Sequence, residues 1–293
     1  MRHRIVTSVV VVAATGLVLL LLARLLENSM IFLPARYPRG VWEPERLGVS
    51  AEEHFFRTAD GLTLHAWWFP AQGVVSAADP QAPSPDAVPV LLWSHGNAGN
   101  LSGRALHAQA LAQQGMAVFL FDYRGYGRSE GKPTEEGIYR DAEAAYAYLT
   151  EQLQVPAYRV VLLGRSLGSA PAARLATRVP HAGMVLISPL PSAARMARRM
   201  FGGLPVHLLI RARFPVRDWV AQRSTPLLVM HGERDEIIPI AYGREVFDAA
   251  AEPKQFVALP GAGHNNILMV SGRDYLEPLA EFAYAVVGGR RER

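Results

Sequence analysis

Ser166 stands in Gly164-Arg165-Ser166-Leu167-Gly168, a G-x-S-x-G pentapeptide, and two later stretches carry groups able to activate it. One is Met230-His231-Gly232-Glu233-Arg234-Asp235-Glu236, with three acids; the other is Gly261-Ala262-Gly263-His264, with a histidine among glycines. A serine hydroxyl is a weak nucleophile until an imidazole takes its proton. The imidazole in turn needs an acid to fix its tautomer and to stabilise the imidazolium. Read as Ser166, Asp235, His264, the order is that of nucleophile-elbow hydrolases. Glu233 and Glu236 compete with Asp235 on residue type alone. A fourth stretch, His95-Gly96-Asn97-Ala98-Gly99-Asn100, lets main-chain N–H groups come close to a developing oxyanion. The amides of Asn97 (or Ala98) and Leu167 would form that hole. The His95 side chain reads as a brace for the loop.

Each of these stretches follows an apolar run. Val160, Val161, Leu162 and Leu163 make a short aliphatic run suited to a strand buried on both faces. A helical pattern (Ala170, Ala172, Ala173, Leu175, Ala176) opens just after Gly168. Strand, sharp turn and helix is the setting in which G-x-S-x-G lifts its serine above a sheet edge. A Cβ at Gly164 or Gly168 would collide where strand and helix pass. Further strand-like runs fall at 88–93, 116–121, 183–187, 226–230 and 255–259. Helical stretches fall near 101–114, 134–153, 167–178, 240–251 and 274–287. His54–Thr58 and Leu62–Pro70, joined across Ala59-Asp60-Gly61, read as an antiparallel hairpin. The alternation implies an α/β fold, a mostly parallel sheet with helices on both faces, whose ligands sit at the strands' carboxyl ends. Residues 72–88, rich in Ala, Pro, Ser and Asp, read as a mobile surface loop.

Bulk properties narrow the function further. Half of the 293 residues are hydrophobic, which excludes a disordered chain, and there is no cysteine for a disulfide, thiolate site or thiol nucleophile. The net charge of +4 is concentrated at the two ends and in 195–223, with no nucleic-acid-binding motif beside it. No nucleic-acid partner is expected. The other histidines lack metal-ligand spacing and no H-E-x-x-H occurs, so no metal is expected.

Ile5–Ala23 is 19 residues without a charge. As a helix it would be roughly 29 Å long, about the hydrocarbon thickness of a bilayer. It is longer than a cleavable signal's apolar region and lacks a convincing small-x-small site, so residues 1–27 read as an uncleaved anchor. Arg2 and Arg4 argue for a cytoplasmic N-terminus and an extracytoplasmic catalytic domain, while Arg24, Arg36 and Arg39 pull the other way. Residues 28–48 then read as an extended connector ahead of a catalytic domain at 49–289, and a chain cut near Arg39 is expected to be soluble and active.

With the elbow, the His-Gly-Asn-Ala-Gly-Asn loop, Asp122-Tyr-Arg-Gly-Tyr-Gly-Arg-Ser, His-Gly-Glu-Arg-Asp and Gly-Ala-Gly-His in view, the chain resembles the α/β-hydrolase superfamily. More narrowly it is similar to the single-pass, membrane-anchored branch that includes protein depalmitoylases and bud-emergence-type homologues. The resemblance covers roughly residues 28–287 and implies an eight-stranded sheet, a hydrolase mechanism and no cofactor. It favours Asp235 as the orienting acid and gives Asp122–Gly127 a structural role. The segment 189–223 stands where hydrolases carry a lid. Pro191 suits a helix start, and Ala193, Met196, Ala197 and Met200 recur at helical spacing. Met196, Met200 and Phe201 are thus candidates to bind an acyl chain, and the arginines of this segment are candidates to face anionic headgroups.

These readings together describe a membrane-tethered serine hydrolase cleaving an acyl ester or thioester, with a lipid or a lipidated protein as candidate substrates. A serine peptidase of the same fold, or an inert tethered interaction module, are the competing readings.

Overall fold

The structure, a computed structural model, describes residues 24, 26–73, 87–202 and 210–289. The anchor reading at Ile5–Ala23 and most of the 72–88 loop lie outside the described residues. Among the described residues no helix is long and apolar enough to cross a membrane.

The apolar runs become eight strands: β1 (Glu52–Arg57), β2 (Thr63–Phe69), β3 (Val90–Ser94), β4 (Ala117–Phe121), β5 (Val160–Arg165), β6 (Gly183–Ile187), β7 (Leu227–Gly232) and β8 (Lys254–Leu259). They form one sheet in the order β1-β2-β4-β3-β5-β6-β7-β8. β1 and β2 are the expected hairpin and pair antiparallel; from β4 onward every pairing is parallel. The α-helices between and after these strands are α1 (Ala105–Ala112), α2 (Glu135–Ala147), α3 (Ser169–Ala176), α4 (Ala193–Met200), α5 (Val216–Val220), α6 (Ile240–Ala249) and α7 (Ile267–Val286), and residues 26–31 are also helical.

The two-residue period of the strands sorts the core into two layers. Val90, Leu92, Phe119, Leu162, Leu186 and Val229 face one side, packed with residues of α2 and α3. Leu91, Trp93, Leu120, Leu163, Ile187 and Met230 face the other, packed with α1 and α7. Burial on both faces is why the central strands carry no polar alternation.

Two elements differ from the sequence reading. The last helix begins at Ile267, not near 274: Gly272, at φ +33°, breaks the helix and with it the apolar periodicity. The connector is not a free linker. Pro34 bridges Gly99 and Arg36 bridges Gly127, with Ala35 N–H on Gly99 O (2.8 Å) and Tyr37 N–H on Gly127 O (2.9 Å). Phe32 and Trp42 are buried in the core. A chain starting near Arg39 would lose this whole ladder, so the shorter truncation is expected to be destabilised.

Between the sheet and α7, the His107 ring lies edge-on to Trp93 (centroids 4.9 Å) and to Tyr275 (5.2 Å), with its Nε2 2.7 Å from Tyr275 Oη. Burial pushes its pKa down to about 3, and the charges of Arg165 and Arg104 act the same way. The unfolded chain, with an ordinary histidine near 6.5, therefore binds the extra proton first. The stability tied to this group is full above about pH 6.5 and is lost as the pH falls toward 3. His107→Gln should accordingly remove part of the acid sensitivity. In urea unfolding, the gap between wild type and variant should shift by roughly 1–3 kcal/mol in the variant's favour from pH 7 to 4.5; a gap constant with pH would contradict this.

Candidate active site

β5 delivers Ser166 into a sharp turn. Ser166 has φ +53°, in the left-handed region that costs a non-glycine residue of order 1–3 kcal/mol. The turn persists because the surrounding packing leaves no alternative. A Cβ on Gly164 would meet Gly168 O, Ala172 Cβ and Ser169 Cα within 2.8 Å, and one on Gly168 would run into the carbonyls of Ser94 and His95. The expected collision at both glycines is therefore present, and β5, α3 and the end of β3 are locked together. Ser169 Oγ donates to Ser166 O (2.6 Å) and closes the turn.

The loops after β7 and β8 reach the same point. His264 Nε2 lies 3.0 Å from Ser166 Oγ, and its Nδ1 lies 2.8 Å from Asp235 Oδ2. Asp235 and His264 are both buried. The other carboxylate oxygen, Oδ1, accepts the amides of Ile237 (3.0 Å) and Ile238 (2.7 Å). Burial by itself would raise the Asp235 carboxyl. The hydrogen bonds of His231 and His264, the His264 charge and the Ile238 amide outweigh it, holding the group well below the usual carboxylate range. Asp235 thus stays an anion facing Nδ1, so that Nδ1 carries a proton and Nε2 presents its lone pair to the serine.

The competing acids are elsewhere. Glu233 is exposed. Glu236 Oε2 accepts the main-chain N–H of His264 (3.1 Å), so it holds the histidine loop rather than the ring. Three supports went unread in the sequence. Arg165, inside the elbow itself, donates to His264 O at 2.7 Å. His231 places Nε2 2.8 Å from Ile238 O and 3.4 Å from Asp235 Oδ2, behind the acid. Arg104 donates to the carbonyls of Asn97 (3.1 Å) and Ala98 (2.5 Å). Their only sequence signal is proximity to the motifs. Arg165 acts on the backbone of a loop 99 residues away, while Arg104 and His231 hold carbonyls six or seven residues from themselves.

The 95–100 loop leaves β3 directly beside the elbow: β3 pairs Ser94 with Gly164, and a Cβ on Gly96 would sit 3.4 Å from Ser166 Cβ. Asn97 therefore follows a residue that lies against the serine, and Leu167 follows the serine itself. His95 braces this loop, as expected, with Nδ1 2.7 Å from Gly96 O and Nε2 3.2 Å from Asp122 Oδ1. Asp122 also accepts the Leu101 amide (2.8 Å), the structural part expected of it.

The lid candidates diverge. α4 is capped by Ser192, whose Oγ accepts the Arg195 amide. Ala193 and Ala197 are buried, Met196 is packed against the core, and Phe201 is half-buried, but Met200 is 71% exposed. Arg195 is not a free cation: it donates to Glu245 Oε2 (2.8 Å) and stacks over Tyr242. Among the described residues no group of three or more His, Asp or Glu could hold a metal.

The resulting site is a hydroxyl, an imidazole and a carboxylate in hydrogen-bonded line beside a glycine-bearing loop, an arrangement able to transfer an acyl group through the serine. A family model described as "Serine aminopeptidase, S33" matches residues 85–213. An uncharacterized protein of Mycobacterium tuberculosis is 34% identical over 277 residues, covering 94% of this chain and 93% of its own. Human alpha/beta hydrolase domain-containing protein 17B is 36% identical over 200 residues, 68% of this chain and 67% of that protein. In structure, the chain is similar to an esterase of Pyrococcus furiosus at a TM-score of 0.68 and 20% identity, over 87% of this chain and all of that one. An eight-stranded, mostly parallel sheet and relatives at this identity and coverage lead to one assignment: this chain belongs to the α/β-hydrolase family.

Proposed function

We propose that this protein is a membrane-tethered serine hydrolase that cleaves carboxylic ester or thioester bonds. The carrying observation is the line from Ser166 Oγ through His264 (3.0 Å) to Asp235 (2.8 Å). Ser166 Oγ attacks the acyl carbon as its proton passes to His264 Nε2. Asp235 stabilises the imidazolium, and the amides of Asn97 and Leu167 hold the tetrahedral oxyanion. Collapse expels the alcohol or thiol, which takes the proton from His264. Water, deprotonated by the same nitrogen, then attacks the acyl-enzyme and frees the acid and Ser166. The Leu167 amide, in the first turn after the elbow, is one of the donors that a helix start leaves without an intrahelical partner.

Met196 and Phe201, half-buried in the lid, would line the acyl slot, and the exposed Met200 would mark its mouth. Tethering is supported by the uncharged run Ile5–Ala23 and by exposed Leu26, Met30 and Leu33 immediately after it. Exposed Arg198 and Arg199 would face anionic headgroups. The catalytic domain would then lie at the membrane surface, on the extracytoplasmic side by the Arg2 and Arg4 argument.

Fluorophosphonate should label Ser166, and Ser166→Ala should abolish both labelling and ester hydrolysis. Asp235→Asn should lower kcat by up to about 10⁴-fold with little change in folding, because the imidazole loses its tautomer lock. Glu236→Gln should be far milder; equal damage at Glu236 would reassign the acid. Medium-chain acyl esters should be hydrolysed faster than acetyl esters. Efficient turnover of aminoacyl anilides with no ester turnover would turn the reading toward a peptidase.

The full chain should stay in the pellet after carbonate washing. A mature N-terminus beyond residue 23 would replace the anchor with a cleaved signal.

A further inference from the structure

Residues 27–36 touch two parts of the site that are remote in sequence. Glu27 is only 8% exposed, although it comes four residues after an uncharged run. Its Oε1 accepts the amides of Arg211 (2.6 Å) and Ala212 (2.8 Å), where the chain returns from the lid. A little further on, the main chain brackets the Asn97 carboxamide. Leu33 N–H donates to Asn97 Oδ1 (3.0 Å), and Asn97 Nδ2 donates to Ile31 O. Tyr126 Oη (2.8 Å) and the Ala98 amide (2.9 Å) also donate to Oδ1. Donor and acceptor ends of the carboxamide are thus both specified, so it can neither rotate nor flip without loss.

The rest of the loop is held from the same side. Gly99 N–H donates to Leu33 O (3.1 Å) and Gly99 O accepts from Ala35 N–H (2.8 Å). Asn100 Nδ2 donates to Ala35 O (2.9 Å) and Arg39 O (2.7 Å). Between these fixed points Ala98 sits at φ +60°, a conformation a free loop would relax. Burial of the connector itself is already supplied by Phe32, packed edge-on to Phe214, and by Trp42. The polar bonds add something different: a fixed direction for the peptide that carries the Asn97 N–H.

We propose that residues 27–36 are a positioning element for the reaction, acting through the Asn97 side chain on the oxyanion hole and through Glu27 on the lid return. The segment that leaves the apolar N-terminal run is then the strut on which hole and lid are both set. This rests on the reading of Ser166 as nucleophile and the Asn97 amide as hole donor. A donor displaced by about 1 Å loses much of its effect on the transition state while substrate binding is little changed.

The test uses the full chain in detergent, with active sites titrated by fluorophosphonate. Asn97→Ala should lower kcat by about 10–100-fold with KM within about twofold, and the Ser166 phosphonylation rate should fall in step, since the phosphonyl oxygen uses the same hole. Tyr126→Phe should show the same pattern, several-fold in size. A lower melting temperature with unchanged kcat per titrated site would reduce the bonds to scaffolding and overturn the proposal. Should Asn97→Ala not fold, Tyr126→Phe and the Glu27 pair decide. Glu27→Ala should lower kcat, and Glu27→Gln, which keeps an acceptor for both amides, should restore most of it. Wild-type kcat in Glu27→Ala together with Tyr126→Phe, or equal damage in both Glu27 variants, would also overturn it. A wild-type chain never phosphonylated at Ser166 would remove the nucleophile reading itself, and the proposal with it.

Discussion

The close approach of Gly168 to the carbonyls of Ser94 and His95 is the contact on which the site depends. It lets the first turn after the elbow press against the end of β3, so that the elbow and the 95–100 loop share one register. Ser166 is held at φ +53° because Gly164 and Gly168 let strand and helix close around it. A side chain at Gly164 would push β5 away from the start of α3, and one at Gly168 would push the elbow away from the end of β3. The serine would then lose both its conformation and its distance to the neighbouring amides. Local strain at one residue is thus sustained by the packing of two core layers.

Away from that contact, loops without ladder partners are held by carboxylates that accept main-chain N–H groups. Asp122 holds Leu101, Asp141 holds Arg124, and Glu135 holds Arg213 and Phe214. Asp235 holds Ile237 and Ile238, Glu236 holds His264, and Glu27 holds Arg211 and Ala212. Buried amides must be paired, and a charged acceptor makes a stronger bond than a neutral one. Asp235 does both jobs at once: two amides fix its position while the imidazole receives its other oxygen. This double use explains how an exposed loop after β7 can hold a buried anion in place.

The same device joins the N-terminal side of the chain to its middle. Glu27 and Glu135 together accept four successive amides, those of Arg211 through Phe214. The lid return is therefore set by one residue near the apolar N-terminal run and one on α2. Arg195, tied to Glu245 and stacked on Tyr242, fixes α4 to α6 in the same spirit. Cations that a linear reading assigns to a membrane surface are in part used to assemble the lid.

The amino-acid sequence by itself determined the strand–turn–helix setting of Ser166, the hairpin at β1 and β2, and the placing of each motif after an apolar run. These follow from local physics: side-chain period, glycine crowding and turn chemistry act over a few residues. It also carried His264 after the last strand and placed Asp235 among three acids after the strand before it, where the family resemblance favoured Asp235. Only the tertiary structure decided what the other acids do, because Glu236 and Asp235 are adjacent in sequence and differ in which distant group they meet. It likewise decided that Leu33 and Ile31 hold Asn97 across 64 and 66 residues, and that Glu27 meets Arg211 across 184. Nothing in the composition of 27–36 marks it as part of the site. Its hold on the 97–100 loop lies in main-chain groups, which every residue carries and which acquire a partner only when the sheet brings the end of β3 alongside. The Glu27 side chain meets its amides far along the sequence.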